Sequence, residues 1–108
     1  MITVDILVAQ LPGLSRQDLE RWIANEWVRP DSRQGHYAFQ EIDVARVRLI
    51  RELRDDLQVN EEALPVVLSL LDQLYALRRR LKIFGDVVGA MPNDFRDALA
   101  ARLRSDDN

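Results

Sequence analysis

The stretch LPVVLSLLDQLYALRRRLKIFGDVVGAM, residues 64 to 91, decides how this chain folds. Its apolar residues recur at alternating steps of three and four, which is the seam pattern of paired helices. The seam consists of Val67, Leu70, Leu74, Leu77, Leu81, Phe84, Val88 and Met91. A second apolar stripe, Leu64, Leu68, Leu71 and Tyr75, runs beside it. A helix with two apolar faces needs two covering surfaces. We expect the preceding domain to cover one face, and a second copy to pair through the first six seam residues, Val67 to Phe84.

The composition describes one small, helix-rich domain with an arm. The chain has 108 residues, 47% hydrophobic and 31% charged, which suffices for one core and not for two. Its net charge of −3 gives no bulk basic field that attracts nucleic acid. Without cysteine, and with His36 as the single histidine, it has no thiolate site or histidine cluster. We therefore expect no enzyme, no metal and no other cofactor. Because neither a signal peptide nor a membrane-length apolar run is present, we expect a cytoplasmic protein.

The residues before the long helix predict a helix-turn-helix followed by a hairpin. Residues 4–11 repeat apolar positions at helical spacing after the N-cap Thr3, and Ser15 caps a second helix beyond Pro12. The turn-rich residues 31–35 separate residues 27–30 from residues 36–39, which predicts a small hairpin. We expect Trp22 and Phe39 in the core. A third helix over about residues 41–57 is expected to bury Ile42, Ala45, Leu49, Leu53 and Leu57.

The C-terminal half is predicted to hold two more helices. Asn60 is the expected N-cap of the long helix, and Pro65 is expected to cost it one hydrogen bond. Pro92 ends that helix, and a last helix follows over about residues 94–104, with a frayed tail at residues 105–108. The expected domains are a winged helix-turn-helix over residues 1–59, the dimerisation helix over 60–91, and the short helix with its tail over 92–108.

This order of elements resembles the winged helix-turn-helix of MerR-type proteins. The likeness is carried by Leu19, Trp27-Val28-Arg29-Pro30, Tyr37-x-Phe39 and the stretch Asp43 to Leu53. Within that superfamily, the segment from Asp56 to Leu74, with its Leu-Leu-Asp at residues 70–72, is similar to the chaperone modulator CbpM family. The resemblance ends at Phe84. It implies a dimeric protein that binds the J-domain of a DnaJ-like (CbpA-type) co-chaperone and inhibits its activity.

Two carboxylates mark a departure from the DNA-binding MerR proteins. Glu20 stands where those proteins present an arginine, and Glu26 stands where they usually have a glycine. A carboxylate that faces a duplex opposes the counterion release that drives DNA binding. It suits a basic protein surface better, and an exposed aromatic side chain would add the anchor that affinity requires. The predicted partner-binding residues are Asp18, Glu20, Glu26, Trp27, Asp31 and Tyr37; for Trp27 and Tyr37, core packing is the alternative role.

The alternative function is a MerR-like DNA-binding transcriptional regulator. It would use the polar and basic side chains Arg16, Gln17, Arg21 and Arg33. The arginines of the third helix do not add to this site, because Arg48 precedes Glu52 by four residues and Arg51 precedes Asp55 by four. That spacing predicts a solvated, ion-paired face. The basic run at residues 78–82 is expected to pair with acidic residues of an opposing helix.

Overall fold

The computed structural model describes residues 1–106, and in this range it has five α-helices and one two-stranded antiparallel sheet. This confirms the mainly helical winged helix-turn-helix fold with a long helix and a short C-terminal helix. The elements are α1 (Val4–Gln10), α2 (Arg16–Ala24), β1 (Asp31–Arg33), β2 (His36–Ala38), α3 (Glu41–Arg51), a π-helical turn (Glu52–Asp56), α4 (Leu64–Gly89) and α5 (Asn93–Asp106). The chain divides into two compact units, residues 1–69 and the residues from Leu70 onward.

The first two helices begin where the sequence predicts. The Thr3 side chain accepts a hydrogen bond from the backbone N–H of Ile6 at 3.3 Å. At the start of α2, the Ser15 hydroxyl accepts from the N–H of Asp18 at 3.0 Å, and the Asp18 carboxylate accepts from the N–H of Ser15 at 3.2 Å. This reciprocal capping box satisfies two backbone donors and fixes the first residue of α2.

The core of the first unit is built around Trp22, which is completely buried. Phe39 is also buried, so the predicted core positions of these two aromatic residues are confirmed. The other core side chains come from every helix of this unit and from the hairpin. They are Leu7, Leu11, Leu14, Leu19, Val28, Ala38, Val47, Ile50, Leu53, Leu64 and Leu68.

The hairpin is tighter than the sequence predicted. Residues 31–33, expected in the turn, form β1, and the turn contains only Gln34 and Gly35. Both turn residues have positive φ, 52° and 78°, as a two-residue hairpin turn of type I′ requires. Trp27 to Pro30 are therefore not a strand. The N–H of Phe39 donates to the carbonyl of Ile2 at 2.9 Å, which attaches the N-terminal segment to the sheet.

The predicted inner face of α3 is wrong at three of its five residues. Ile42 is 75% exposed and Leu57 69% exposed, Ala45 is exposed, and Leu49 is half-buried. Leu53 is buried as predicted, and Val47 and Ile50, which were not predicted, face the core with it. The reason is that long arginine stems share the inner face of α3, so the apolar spacing alone misplaces it. The π-helical turn also shifts the register by one residue beyond Arg51.

The long helix begins later than predicted, at Leu64. Asn60 caps the preceding turn, where its side chain accepts from the N–H of Ala63 at 2.8 Å. Pro65 is consequently the second residue of α4, directly after the turn in which the N–H of Leu64 donates to the carbonyl of Asn60 at 3.2 Å. α5 continues through Ser105 and Asp106, which were predicted to fray; the rest of the predicted tail, residues 107–108, lies outside the described residues.

None of the helices within residues 1–106 combines the length and the apolar character that spanning a membrane requires.

Replacing glycine by alanine is expected to have opposite effects on stability in the hairpin turn and inside α4. Gly35→Ala forces a side chain into the left-handed region, so we expect the free energy of unfolding to fall by about 1 kcal/mol. Gly85→Ala is the control, because Gly85 lies inside α4 with open space around its Cα, and alanine there favours the helix. Urea unfolding followed by circular dichroism measures both variants. An unchanged stability of Gly35→Ala would contradict the described turn.

Candidate partner-binding surface

Asp18 lies at the centre of an ion-pair network on α2. Its side chain is only 16% exposed and contacts guanidinium nitrogens of Arg21 and Arg54, each at 2.9 Å. Burial raises the pKa of Asp18, but the hydrogen bonds from Arg54, from the Ser15 backbone and from Arg21 together lower this pKa to about 2. The carboxylate is therefore held by internal donors on several sides.

Arg54 reaches Asp18 from the π-helical turn that follows α3. Its guanidinium carbon lies 5.1 Å from the centre of the Trp22 ring, and its nitrogens also donate to the Gly13 carbonyl at 3.3 Å and to Asp55 at 2.8 Å. The hydrogen bonds to Asp55 and Asp18 raise the pKa of Arg54, and they outweigh the opposing effect of burial. Arg54 thus covers the buried indole with a cation that is itself paired.

The two arginines of α2 are also engaged within the chain. The Nε of Arg21 donates to Glu61 at 2.7 Å, and a second guanidinium nitrogen contacts the other carboxylate oxygen of Glu61. The hydrogen bonds to Glu61 and Asp18 raise the pKa of Arg21. Arg16 forms an ion pair with Asp5 of α1. Both cations therefore tie α2 to neighbouring elements.

A cleft of about 690 Å³ opens beside this face of α2. Its walls are the first turn of α1, the exposed side of α2, and the tip of the hairpin. The charged and aromatic side chains in the walls are Asp5, Arg16, Glu20, Arg33, His36 and Tyr37. Arg16 and Glu20 are four residues apart and share one face of α2.

The structure brings only part of the predicted partner-binding set to this cleft. Glu20 and Tyr37 line it, and Tyr37 is 39% exposed. Asp18 is engaged by internal partners, as described above. Glu26, Trp27 and Asp31 do not line the cleft. Of the residues proposed for DNA, Arg16 and Arg33 line it, whereas Arg21 is bound to Glu61 and Gln17 is exposed elsewhere on α2.

The three predicted residues outside the cleft have distinct environments. Glu26 has a φ of 62°, a left-handed conformation that favours glycine, which agrees with its alignment to a glycine position. Trp27 is half-buried, and its carbonyl accepts from Arg46 at 3.0 Å. Asp31 is exposed on β1 and accepts from the side chain of Gln40 at 3.2 Å.

Sequence reasoning missed the structural role of the arginines in and after α3. Arg51 donates to the Pro12 carbonyl at 2.7 Å, while Arg54 is the residue that binds Asp55. Asp55 therefore pairs with Arg54 and not, as predicted, with Arg51. Among residues 1–106, Arg48 makes no ion pair with Glu52. The spacing of charges within one helix cannot predict contacts to the loop before α2. The sequence did contain one indication of these contacts, which is the presence of several arginines at short intervals in the helix that packs against a buried tryptophan.

No three His, Asp or Glu side chains within the described range are grouped so that they could hold a metal ion.

The fold and the position of the cleft define a winged helix-turn-helix protein whose α2 and hairpin present one common surface. A family model described as MerR HTH family regulatory protein matches residues 7–84. This chain belongs to that family. No curated protein and no solved structure matches the chain. The family match ends within α4, so α5 lies beyond it.

The lowered pKa of Asp18 predicts a dependence of stability on acid. In the folded chain the pKa of Asp18 is about 2, below its ordinary value of 3.8, so the charged form stabilises the fold at neutral pH and this contribution is lost as the pH falls from about 4 through 2. We expect Asp18→Asn to lower the free energy of unfolding at pH 7 by about 1–2 kcal/mol and to flatten its decline in acid. Urea unfolding at pH 7, 4 and 2.5 measures both. Parallel pH profiles of wild type and variant would contradict this role.

Proposed function

We propose that this MerR-family chain regulates by binding another protein, and that the partner is the J-domain of a DnaJ-like co-chaperone, which it inhibits. The observation that carries the proposal is the charge of the α2 surface. Glu20 is exposed in the cleft, while Arg16 and Arg21 on the same helix are paired with Asp5 and Glu61. A helix that reads DNA needs cations free to replace counterions.

The charge balance around α2 supports a protein partner. Between residues 4 and 38, the exposed carboxylates and the exposed arginines are equal in number, four of each. They are Asp5, Glu20, Glu26 and Asp31 against Arg16, Arg21, Arg29 and Arg33. A surface of no net charge has little long-range attraction for a polyanion, whereas mixed charges suit the rim of a protein interface.

The choice of partner rests on the sequence resemblance to chaperone modulators. Proteins of that kind bind J-domains, which present a basic helical face. Glu20 supplies a complementary carboxylate, and the partly exposed ring of Tyr37 in the same cleft supplies an aromatic anchor. Charge complementarity steers the encounter, and the ring supplies buried contact area.

The second candidate is a DNA-binding transcriptional regulator. The family description, a regulatory protein with a helix-turn-helix, favours this candidate over the first. Arg33 at the hairpin and Gln17 on α2 are exposed and are the side chains available to a phosphate and a base edge. The carboxylate of Glu20 beside them is the physical argument against it.

We further propose that the active form is a homodimer through α4. The seam residues of the second unit are between 44% and 60% exposed in the single chain, although all are large and apolar. These residues are Leu70, Leu74, Leu77, Leu81 and Phe84. Contiguous apolar surface of this kind marks an interaction site, and its three–four spacing suits a second helix of the same kind.

The first prediction from this proposal concerns Glu20. Glu20→Arg places a cation against the basic face of the partner, so we expect binding of a purified J-domain to weaken about tenfold. Glu52→Arg is the matched control, because Glu52 is exposed on the π-helical turn and does not line the cleft. Titration calorimetry measures both. Equal affinities of wild type and Glu20→Arg would remove this face from the proposed interface.

The second prediction concerns the dimer. Leu74→Asp and Leu81→Asp each bury a charge in the seam, so we expect monomers or insoluble protein. Ile83→Asp is the control: Ile83 is 55% exposed, as the seam residues are, but lies off the seam and should leave the dimer intact. Light scattering gives the mass of each variant. A dimeric mass for both seam variants would contradict the proposed interface.

A further inference from the structure

We propose that the cleft between α2 and the hairpin recognises a helical segment of the partner that carries a base and an acid one turn apart. The base meets Glu20 and the acid meets Arg33. This inference rests on the proposed function and deepens it, because it states what the partner must present at this site.

The charged side chains of the cleft that have no ion-pair partner are of opposite sign. Glu20 and Arg33 both line it, and within residues 1–106 neither makes an ion pair or a side-chain hydrogen bond. Arg16, in the same wall, is already neutralised by Asp5. A ligand in the cleft therefore meets one free carboxylate from α2 and one free guanidinium from β1.

A ligand of a single charge does not fit this arrangement. A phosphate backbone would satisfy Arg33 and be repelled by Glu20. A segment that carries bases alone would meet the reverse conflict, so the basic face of the proposed partner must also present an acid to Arg33. Like charges brought together at an interface oppose binding, and this rejects wrong partners. A segment with one basic and one acidic side chain can pair with both Glu20 and Arg33, and this pairing holds it in one orientation.

The spacing of such a segment follows from helix geometry. Acidic and basic residues at positions i and i+4 of a helix have Cβ atoms about 5–6 Å apart on one face, so both side chains can enter one cleft. The cleft, at about 690 Å³, has the size of sites that enclose small ligands or several side chains. The half-exposed Tyr37 and Val4 supply apolar contact for the stems of these side chains.

Synthetic peptides test this inference independently of the J-domain. Three alanine-rich helical peptides would carry a Glu–Lys, a Lys–Lys or a Glu–Glu pair at i and i+4, and would be titrated into the full chain while backbone amide signals are followed by NMR. We expect the mixed peptide to shift the signals of Glu20, Arg33 and Tyr37 and to bind at least fivefold more tightly than either single-sign peptide. Equal or tighter binding of a single-sign peptide would overturn the inference.

A second experiment measures binding of the J-domain itself, and it distinguishes failure of the mixed-charge cleft from failure of the proposed function. Arg33→Glu should weaken J-domain binding about tenfold. Arg29→Glu, at an arginine that is 78% exposed and does not line the cleft, should have little effect. If wild type binds the J-domain and Arg33→Glu binds equally well, the mixed-charge site is wrong and the proposed function stands. If wild type binds no J-domain, the proposed function fails, and the peptide titration still decides the nature of the cleft.

Discussion

The carboxylate of Asp18 is the contact on which the first unit of this protein depends. It closes the capping box of α2, binds Arg21 on the same helix, and binds Arg54 from the π-helical turn. Through Arg54 it also fixes a cation over the ring of Trp22, the largest fully buried side chain. The start of α2, its packing and the cover of the core therefore all depend on one partly buried group. Its loss would remove one of the partners of each of two cations, leaving Arg21 with Glu61 and Arg54 with Asp55.

This use of charge has a direct consequence for function. In a winged helix-turn-helix that reads DNA, the cations of the second helix must be available to phosphates and bases. Here the same cations stabilise the fold, and the charged side chains of the cleft that make no ion pair within residues 1–106 are one carboxylate, Glu20, and one guanidinium, Arg33. The family therefore supplies the helix-turn-helix shape, and we propose that the side chains on that shape suit a protein segment of mixed charge.

Local chemistry explains which parts of the structure the sequence predicted. The caps at Thr3 and Ser15 and the burial of Trp22 depend on neighbouring residues or on size, and they were predicted correctly. The inner face of α3 was predicted correctly only in part, at Leu53, because arginine stems share that face with apolar residues and a π-helical turn shifts the register. Glu20 was identified by its position relative to Trp27–Pro30, but its place in one cleft with Arg33 depends on a tight turn that makes residues 31–33 a strand.

The most direct test of the central claim, that the cations of α2 serve the fold and not a duplex, is the salt dependence of DNA binding by the wild-type chain. Each phosphate that a protein neutralises contributes a slope of about −0.9 to the logarithm of the affinity against the logarithm of the salt concentration. The account predicts weak binding to duplex DNA, with a slope no steeper than about −2. Nanomolar binding to a defined duplex in physiological salt, with a slope of about −6 or steeper, would contradict it.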